Sequence, residues 1–150
     1  YMEESLEREL RRAARHETPL GLIMLDIDQF KEFNDTFGHD AGDAILRALG
    51  QFLQAHIRAE DIASRYGGEE FTLILPEAPL DVVTQRAEQL REGVKHLQVY
   101  HRGQSLGGIT LSLGVAVFPE HGSTSEAVLR AADAALYRAK TEGRDRVAAA

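Results

Sequence analysis

The sequence contains no cysteine, which excludes disulfide bonds, thiolate metal sites and thiol catalysis. A chain without disulfides suits a reducing compartment, so we expect a cytoplasmic protein. Long apolar runs are missing too: stretches such as residues 21–25 fall far short of the roughly 20 residues that a membrane span requires. We therefore expect no membrane contact by this segment.

Positive charge is scarce, because 17 Lys and Arg stand against 24 Asp and Glu, a net charge of −7. Such an acidic chain is not expected to bind nucleic acid, whose partners typically display a basic surface. If the chain binds phosphates, metal ions must neutralise part of their charge. The sequence opens on helical residues without a signal-peptide pattern, so we expect an upstream sensor or signalling domain in a longer protein, which could be membrane-anchored.

The first third of the chain predicts a helix, a strand and two more helical segments. Residues 1–17 predict an exposed N-terminal helix with a thin apolar seam, which could continue a signalling stalk, and residues 18–150 form the main domain. Residues 20–25 predict a buried strand with Asp26, Ile27 and Asp28 at its end. A short helix and a glycine-rich connection follow, and an amphipathic helix begins at Asp43.

The remaining elements alternate in the same way. Two strands flank Gly67-Gly68 as a hairpin, residues 80–97 predict a helix and residues 109–118 a strand. A capping box that begins at Ser123 opens the last helix, which Gly143 ends. This order favours an α/β fold with helices packed on a mixed or antiparallel sheet over a doubly wound parallel sheet.

Four carboxylates follow or precede strands: Asp26, Asp28, Glu69 and Glu70. Phosphoryl transfer needs charge neutralisation, which Mg²⁺ on one or two carboxylates supplies. Two such charges about 4 Å apart repel by roughly 4 kcal/mol at an effective dielectric near 20, so a metal, a protonated partner or separation must resolve the cluster. Taken singly, each acidic residue could equally be a solvated surface group.

Three motifs together resemble one family. GGEEF at residues 67–71, preceded by Arg65-Tyr66, resembles the signature turn of the GGDEF family of diguanylate cyclases. DIDQFKEFNDTFGHDAGD at residues 26–43 is similar to the first strand and following helix of that family. YRAKTEGR at residues 137–144 resembles its C-terminal motif, so the resemblance covers Leu20 to Val147.

The resemblance implies both a fold and an activity. The fold is α+β, with a central, mainly antiparallel five-stranded sheet surrounded by helices, as in nucleotidyl cyclases and polymerase palms. The activity is the condensation of two GTP molecules into cyclic di-GMP and two pyrophosphates by a homodimer. The implied cofactor is Mg²⁺ or Mn²⁺, two ions per active site.

The resemblance also implies roles for individual residues. The metal ligands are Asp26, the Ile27 carbonyl, Glu69 and Glu70, and either Glu69 or Glu70 takes the proton from the 3′-hydroxyl. Asp28 is assigned to structure. The substrate-binding set is Phe30, Asn34, Asp43 and Leu46 around guanine, and Gly67, Gly68, Lys140 and Arg144 along the triphosphate.

Ordinary structural roles compete with several of these assignments. Without the resemblance, Asn34 is a helix-end residue and Asp43 an N-cap. Lys140 and Arg144 would then simply complement the dipole at the C-terminal end of a helix.

Residues 58–61, with Arg58 and Asp61, resemble the RxxD site at which cyclic di-GMP inhibits family members. Five extended residues separate them from Gly67, roughly 17 Å at about 3.3 Å each, so this would be a separate regulatory site. The second arginine of that site aligns with Gln89, although Arg86 and Arg91 are nearby.

The sequence leaves two other functions open: a non-catalytic module that binds GTP or cyclic di-GMP, and a different nucleotidyl transfer. The intact carboxylates and glycine pair disfavour the first, and the guanine-reading pair disfavours the second. Because each domain holds one GTP, we expect the isolated chain to be mostly monomeric and slow.

Overall fold

The computed structural model describes residues 2–150. In chain order the elements are α1 (Met2–His16), β1 (Leu20–Ile27), α2 (Phe30–Phe37), α3 (His39–Ala55), β2 (Ile62–Gly67), β3 (Glu70–Pro76), α4 (Leu80–Val94), β4 (Tyr100–His101), β5 (Gln104–Ser105), β6 (Leu111–Phe118), α5 (Ser125–Thr141) and β7 (Arg146–Ala149). Within this described range, every helix is too short or too polar to span a bilayer.

Five strands form the central sheet in the order β2-β3-β1-β6-β7. Every neighbouring pair is antiparallel except β6 and β7, which are parallel. This confirms the predicted α+β fold with a mainly antiparallel, five-stranded sheet surrounded by helices. Strand β1 is central, which explains why all eight of its residues are buried.

Each face of the sheet has its own apolar core, because alternate residues of a strand point to opposite faces. Ile23 and Leu25 join the core beneath α3 and α4. Leu22 and Met24 join the core beneath α1 and α5. Helix α1 places Leu6, which is fully buried, in this second core. The seam predicted on an exposed helix therefore packs against its own domain.

Several predicted boundaries in the first half of the chain are corrected. Strand β1 continues through Ile27, so Asp26 lies within the strand and not after it. Helix α3 begins at His39 with Gly38 at its N-cap. The interpretation of Asp43 as an N-cap is therefore wrong, because the first turn of α3 carries few of the apolar residues on which the prediction relied.

The second half differs in smaller ways. Helix α4 ends at Val94, not at residue 97, and β6 begins at Leu111, not at residue 109. The two-residue strands β4 and β5 were not predicted, because a period of two cannot be detected over two residues.

The N-cap of α5 is Thr124 instead of Ser123. Its side chain accepts a hydrogen bond from the Ala127 N–H at 3.1 Å. The predicted box is wrong by one residue, and the Glu126 carboxylate instead accepts a hydrogen bond from Arg130 at 2.9 Å.

Candidate active site

Asp26 is a buried carboxylate in the middle strand of the sheet, and only 4% of its surface is exposed. Its Oδ2 accepts a hydrogen bond from Lys140 Nζ of α5, whereas its Oδ1 is buried without a hydrogen-bond partner. Burial raises the pKa of Asp26 to about 6; Lys140 lowers it, and the charges of Glu69 and Glu70 raise it further. An unpaired buried oxygen is costly, so this position is suited to a ligand that supplies positive charge.

The β2–β3 hairpin brings the other two predicted acidic groups to Asp26. Glu70 lies directly opposite Asp26 in the register of β1 and β3, and Glu69 precedes it in the turn. The turn is held by Arg65, whose Nε donates to the Gly68 carbonyl at 2.7 Å. The pairing of β1 with β3 therefore brings the strand aspartate beside the acidic hairpin, and a metal ion shared between them stays a prediction.

The two glycines of the turn are present for different reasons. Gly68 has φ +31°, a conformation that side chains rarely adopt. Gly67 has no positive φ, and a Cβ built there meets nothing within 4 Å. Packing thus gives no reason for glycine at Gly67, whereas close approach of a ligand to the backbone would.

The carboxylates of Asp26 and of the hairpin turn are suited to a divalent cation. Asp26 offers a free oxygen, and Glu69 and Glu70 add carboxylates, the ligands that Mg²⁺ prefers together with phosphate oxygens of a substrate. Among residues 2–150, no three His, Asp or Glu side chains lie close enough together to hold a metal ion between them. Lys140 provides the positive charge beside Asp26 in this arrangement.

The residues predicted to recognise guanine are divided between two neighbouring places. Asp43 and Leu46 line an open groove of about 820 Å³ between α3 and the strand ends that flank the hairpin turn. Phe30 and Asn34 lie instead where α2 meets α3: a Cβ built on Gly42 would lie 1.8 Å from Asn34 Oδ1 and 3.2 Å from the Phe30 ring. Oδ1 of Asn34 is buried and has no hydrogen-bond partner.

The sequence predicted only two of the residues that line that groove. The groove is also lined by residues that were not predicted to bind guanine: Arg47, Gly50, Gln51, Gln54, Ala55, Arg65 and Phe71.

The segment after α5 carries the predicted triphosphate contacts. Lys140 lies in the last turn of α5 and is half-buried, and Arg144 is exposed beyond the end of the helix. Gly143 has φ +128°, and the Arg144 N–H donates to the Ala139 carbonyl at 2.9 Å, which closes the helix as predicted.

Asp28 is committed to hydrogen bonds within the protein. Its carboxylate accepts from the hydroxyls of Thr110 and Ser112 at 2.7 and 2.6 Å, and from the Asp145 N–H at 2.9 Å. This is the structural role that the sequence analysis assigned to it.

The RxxD residues lie outside this cluster. Asp61 is buried and accepts from the Arg58 N–H at 2.9 Å and from Arg86 Nη2 of α4 at 2.7 Å. The Arg58 side chain is exposed. Arg86, and not the aligned Gln89, therefore supplies the arginine next to Asp61.

Four residues that organise these places were not assigned from the sequence: Arg65, Arg86, Arg91 and Asp145. The Arg65-Tyr66 match beside the glycines signalled the first, and proximity to Gln89 signalled Arg86 and Arg91. Nothing signalled Asp145, and periodicity carries no information about partners that are distant in the chain.

The chain matches the family described as "Diguanylate cyclase, GGDEF domain" over residues 1–146. It is 40% identical over 149 residues to the response regulator PleD of Caulobacter vibrioides, covering 98% of this chain and 33% of PleD. It is 48% identical over 130 residues to the diguanylate cyclase VdcA of Vibrio cholerae, covering 85% of this chain and 38% of VdcA. The matched part of the chain thus spans between 33% and 38% of the length of these curated relatives.

Solved structures agree with this assignment. The GGDEF domain of DgcB from Caulobacter crescentus, crystallised in complex with c-di-GMP, superposes with a TM-score of 0.92 at 37% identity and covers 99% of this chain and 85% of that one. An active GGEEF domain of a diguanylate cyclase from Vibrio cholerae gives 0.88 at 33% identity, over 97% of this chain and 92% of that one. Sequence motifs, fold and site geometry lead to the same conclusion: this chain belongs to the GGDEF family of diguanylate cyclase domains.

Proposed function

We propose that this domain is a diguanylate cyclase that joins two GTP molecules into cyclic di-GMP and releases two pyrophosphates. The observation that carries the proposal is the buried, unpartnered Oδ1 of Asp26, beside two hairpin carboxylates and an open glycine turn. Such an oxygen is explained by a cation that arrives with a charged substrate.

The reaction takes two equivalent steps, each with one proton transfer and one exchange of bonds at phosphorus. Glu69 or Glu70 takes the proton of a 3′-hydroxyl, and that oxygen bonds to the α-phosphorus of the GTP on the facing domain. The bond from the α-phosphorus to the bridging oxygen breaks, and pyrophosphate leaves. A second, symmetrical step closes the ring.

Two Mg²⁺ or Mn²⁺ ions, held by Asp26, the Ile27 carbonyl, Glu69 and Glu70, would neutralise charge on the phosphates. Lys140 Nζ donates a hydrogen bond to Asp26 Oδ2. We propose that Lys140 turns to the triphosphate when the nucleotide arrives, together with the exposed Arg144.

Guanine recognition is assigned to the residues around α2 and α3. The buried Oδ1 of Asn34 can accept a hydrogen bond from the base, and Asp43 can accept from N1–H and N2–H₂ of guanine, a donor pair that adenine lacks. Phe30 and Leu46 supply apolar surface. This set favours GTP over ATP.

Catalysis requires two domains that face one another, because each 3′-hydroxyl attacks the partner's nucleotide. The seam of α1 is occupied by the domain's own core, so pairing must use other surfaces or an upstream domain. A leucine zipper fused ahead of Tyr1 should raise the specific activity; no gain in turnover would contradict this part of the proposal.

Product inhibition is assigned to Arg58 and Asp61. Arginine can grip the O6 and N7 atoms of guanine, and Arg86 already lies against Asp61 at 2.7 Å. Adding cyclic di-GMP should slow the enzyme, and Arg58→Ala should relieve that inhibition with little change in the initial rate.

The activity itself is tested by incubating the protein with GTP and Mg²⁺ or Mn²⁺ and separating the products by chromatography. Cyclic di-GMP is the expected product. Another nucleotide product would indicate a different transferase, and unchanged GTP with measurable binding would indicate a non-catalytic module. Glu69→Gln should abolish the product, whereas Asp81→Asn, which removes an exposed carboxylate on α4, should retain it.

A further inference from the structure

The turn that follows α5 has an unusual backbone. Gly143, Arg144 and Asp145 have φ values of +128°, +62° and +47° in succession. Residues other than glycine rarely adopt such angles, and they persist only where surrounding contacts over-determine them. Some interaction must therefore hold Arg144 and Asp145 in this conformation.

Those contacts converge on Asp145. Its Oδ1 lies 2.9 Å from Arg91 Nη1, and its Oδ2 lies 2.9 Å from Lys95 Nζ, with both cations in or next to α4. Its N–H donates to Asp28 at 2.9 Å. Lys95 and Arg91 hold the pKa of Asp145 below its usual value despite the opposing effect of burial, so the ion pairs persist at neutral pH.

Arg91 is well placed to act as an anchor. Only 16% of its side chain is exposed, and Glu88 and Glu92 also contact its guanidinium, at 2.9 and 2.7 Å. A guanidinium held by several carboxylates loses little further freedom when it grips Asp145. The turn is thus tied to α4 on one side and to the end of β1 on the other.

We infer that Asp145, held by Arg91 and Lys95, is a positioning residue that aims Arg144 at the β- and γ-phosphates of the nucleotide. Asp145 directly follows Arg144, and the turn begins three residues after Lys140, the partner of Asp26. The inference rests on the proposed function for the identity of the nucleotide. It adds that the charges of α4 determine affinity for the terminal phosphates, and not for the base or the sugar.

A purely structural clamp between α4 and the sheet would lower stability but would not distinguish nucleotides by phosphate number. The test is therefore a pair of titrations with GMP and with a non-hydrolysable α,β-methylene analogue of GTP, both with Mg²⁺. Asp145→Ala should weaken triphosphate binding about tenfold, roughly the loss of one charge-assisted hydrogen bond from Arg144 to the phosphates, and GMP binding by less than about twofold.

Two further variants separate an effect on binding from an effect on folding. Asp145→Asn is isosteric, retains one acceptor oxygen and should weaken the triphosphate by an intermediate factor even if the alanine variant folds poorly. Asp81→Asn removes an exposed carboxylate from the other end of α4, outside this network, and should change neither affinity.

Equal weakening of both ligands, or a lowered melting temperature with unchanged affinities, would overturn the inference. In turnover assays Asp145→Asn should raise KM with kcat nearly unchanged. A wild-type protein that binds the triphosphate but makes no cyclic di-GMP would refute the proposed function, and the ratio of the two affinities would still decide the role of Asp145.

Discussion

Asp26→Asn should make the metal-free domain more stable while abolishing its activity. The carboxylate is 4% exposed, and burial raises its pKa from 3.8 to about 6. The folded state therefore holds the proton more tightly than the unfolded chain. The stability contribution of the protonated group is fully present below about pH 4 and is lost as the pH rises through about 6.

The expected gain in stability follows from the shift in the pKa of Asp26. About 2 pKa units at roughly 1.4 kcal/mol each give about 3 kcal/mol as the cost of ionising Asp26 in the folded domain. That shift already includes the attraction of Lys140, so asparagine avoids this cost and gives back part of the gain only by burying an amide. We expect a net gain of about 1–2 kcal/mol, or roughly 3–6 °C in Tm for a chain of this size.

Thermal unfolding in EDTA, followed from pH 4 to pH 7.5, is the assay. The Tm difference between Asp26→Asn and wild type should be small at pH 4 and reach its full value above pH 7. Asp81→Asn, an exposed substitution of the same kind, should show no such divergence. A variant less stable than wild type at neutral pH, or a difference independent of pH, would refute the reasoning.

Other predictions concern packing and capping and are checked by urea unfolding. Gly114→Ala should cost at least about 3 kcal/mol, because its Cβ would lie 2.3 Å from two backbone atoms of α5; Gly50→Ala, whose nearest neighbour is 3.9 Å away, should be neutral or slightly stabilising. Thr124→Ala should cost about 1 kcal/mol by removing the N-cap of α5, whereas Ser123→Ala should change stability by less than about 0.5 kcal/mol. Equal losses of stability would contradict the assignment of Thr124 as the N-cap. Leu6→Ala should cost about 2–4 kcal/mol if α1 belongs to the core, and a negligible effect would show that α1 is an independent stalk.

Local patterns were sufficient for much of this molecule. The apolar run in β1, the glycine pair of the hairpin and the helical spacing in α3 and α5 each reflect a period or a backbone requirement within a few residues. The family motifs then identified the carboxylates, and the register of Asp26 against Glu70 agrees with that assignment. The sequence therefore predicted the order of the main elements without β4 and β5, the fold through the family motifs, and the carboxylates proposed for the acidic centre.

Only the tertiary structure determined which charged side chains pair with one another. Lys140 on Asp26, Arg86 on Asp61 and Arg91 on Asp145 join residues 114, 25 and 54 positions apart. Such ion pairs have no period and no fixed spacing, because they depend on which helix lies over which strand. The packing of α1 onto the sheet was hidden for the same reason: an apolar seam shows that a helix will be covered, but only the assembled fold determines what covers it.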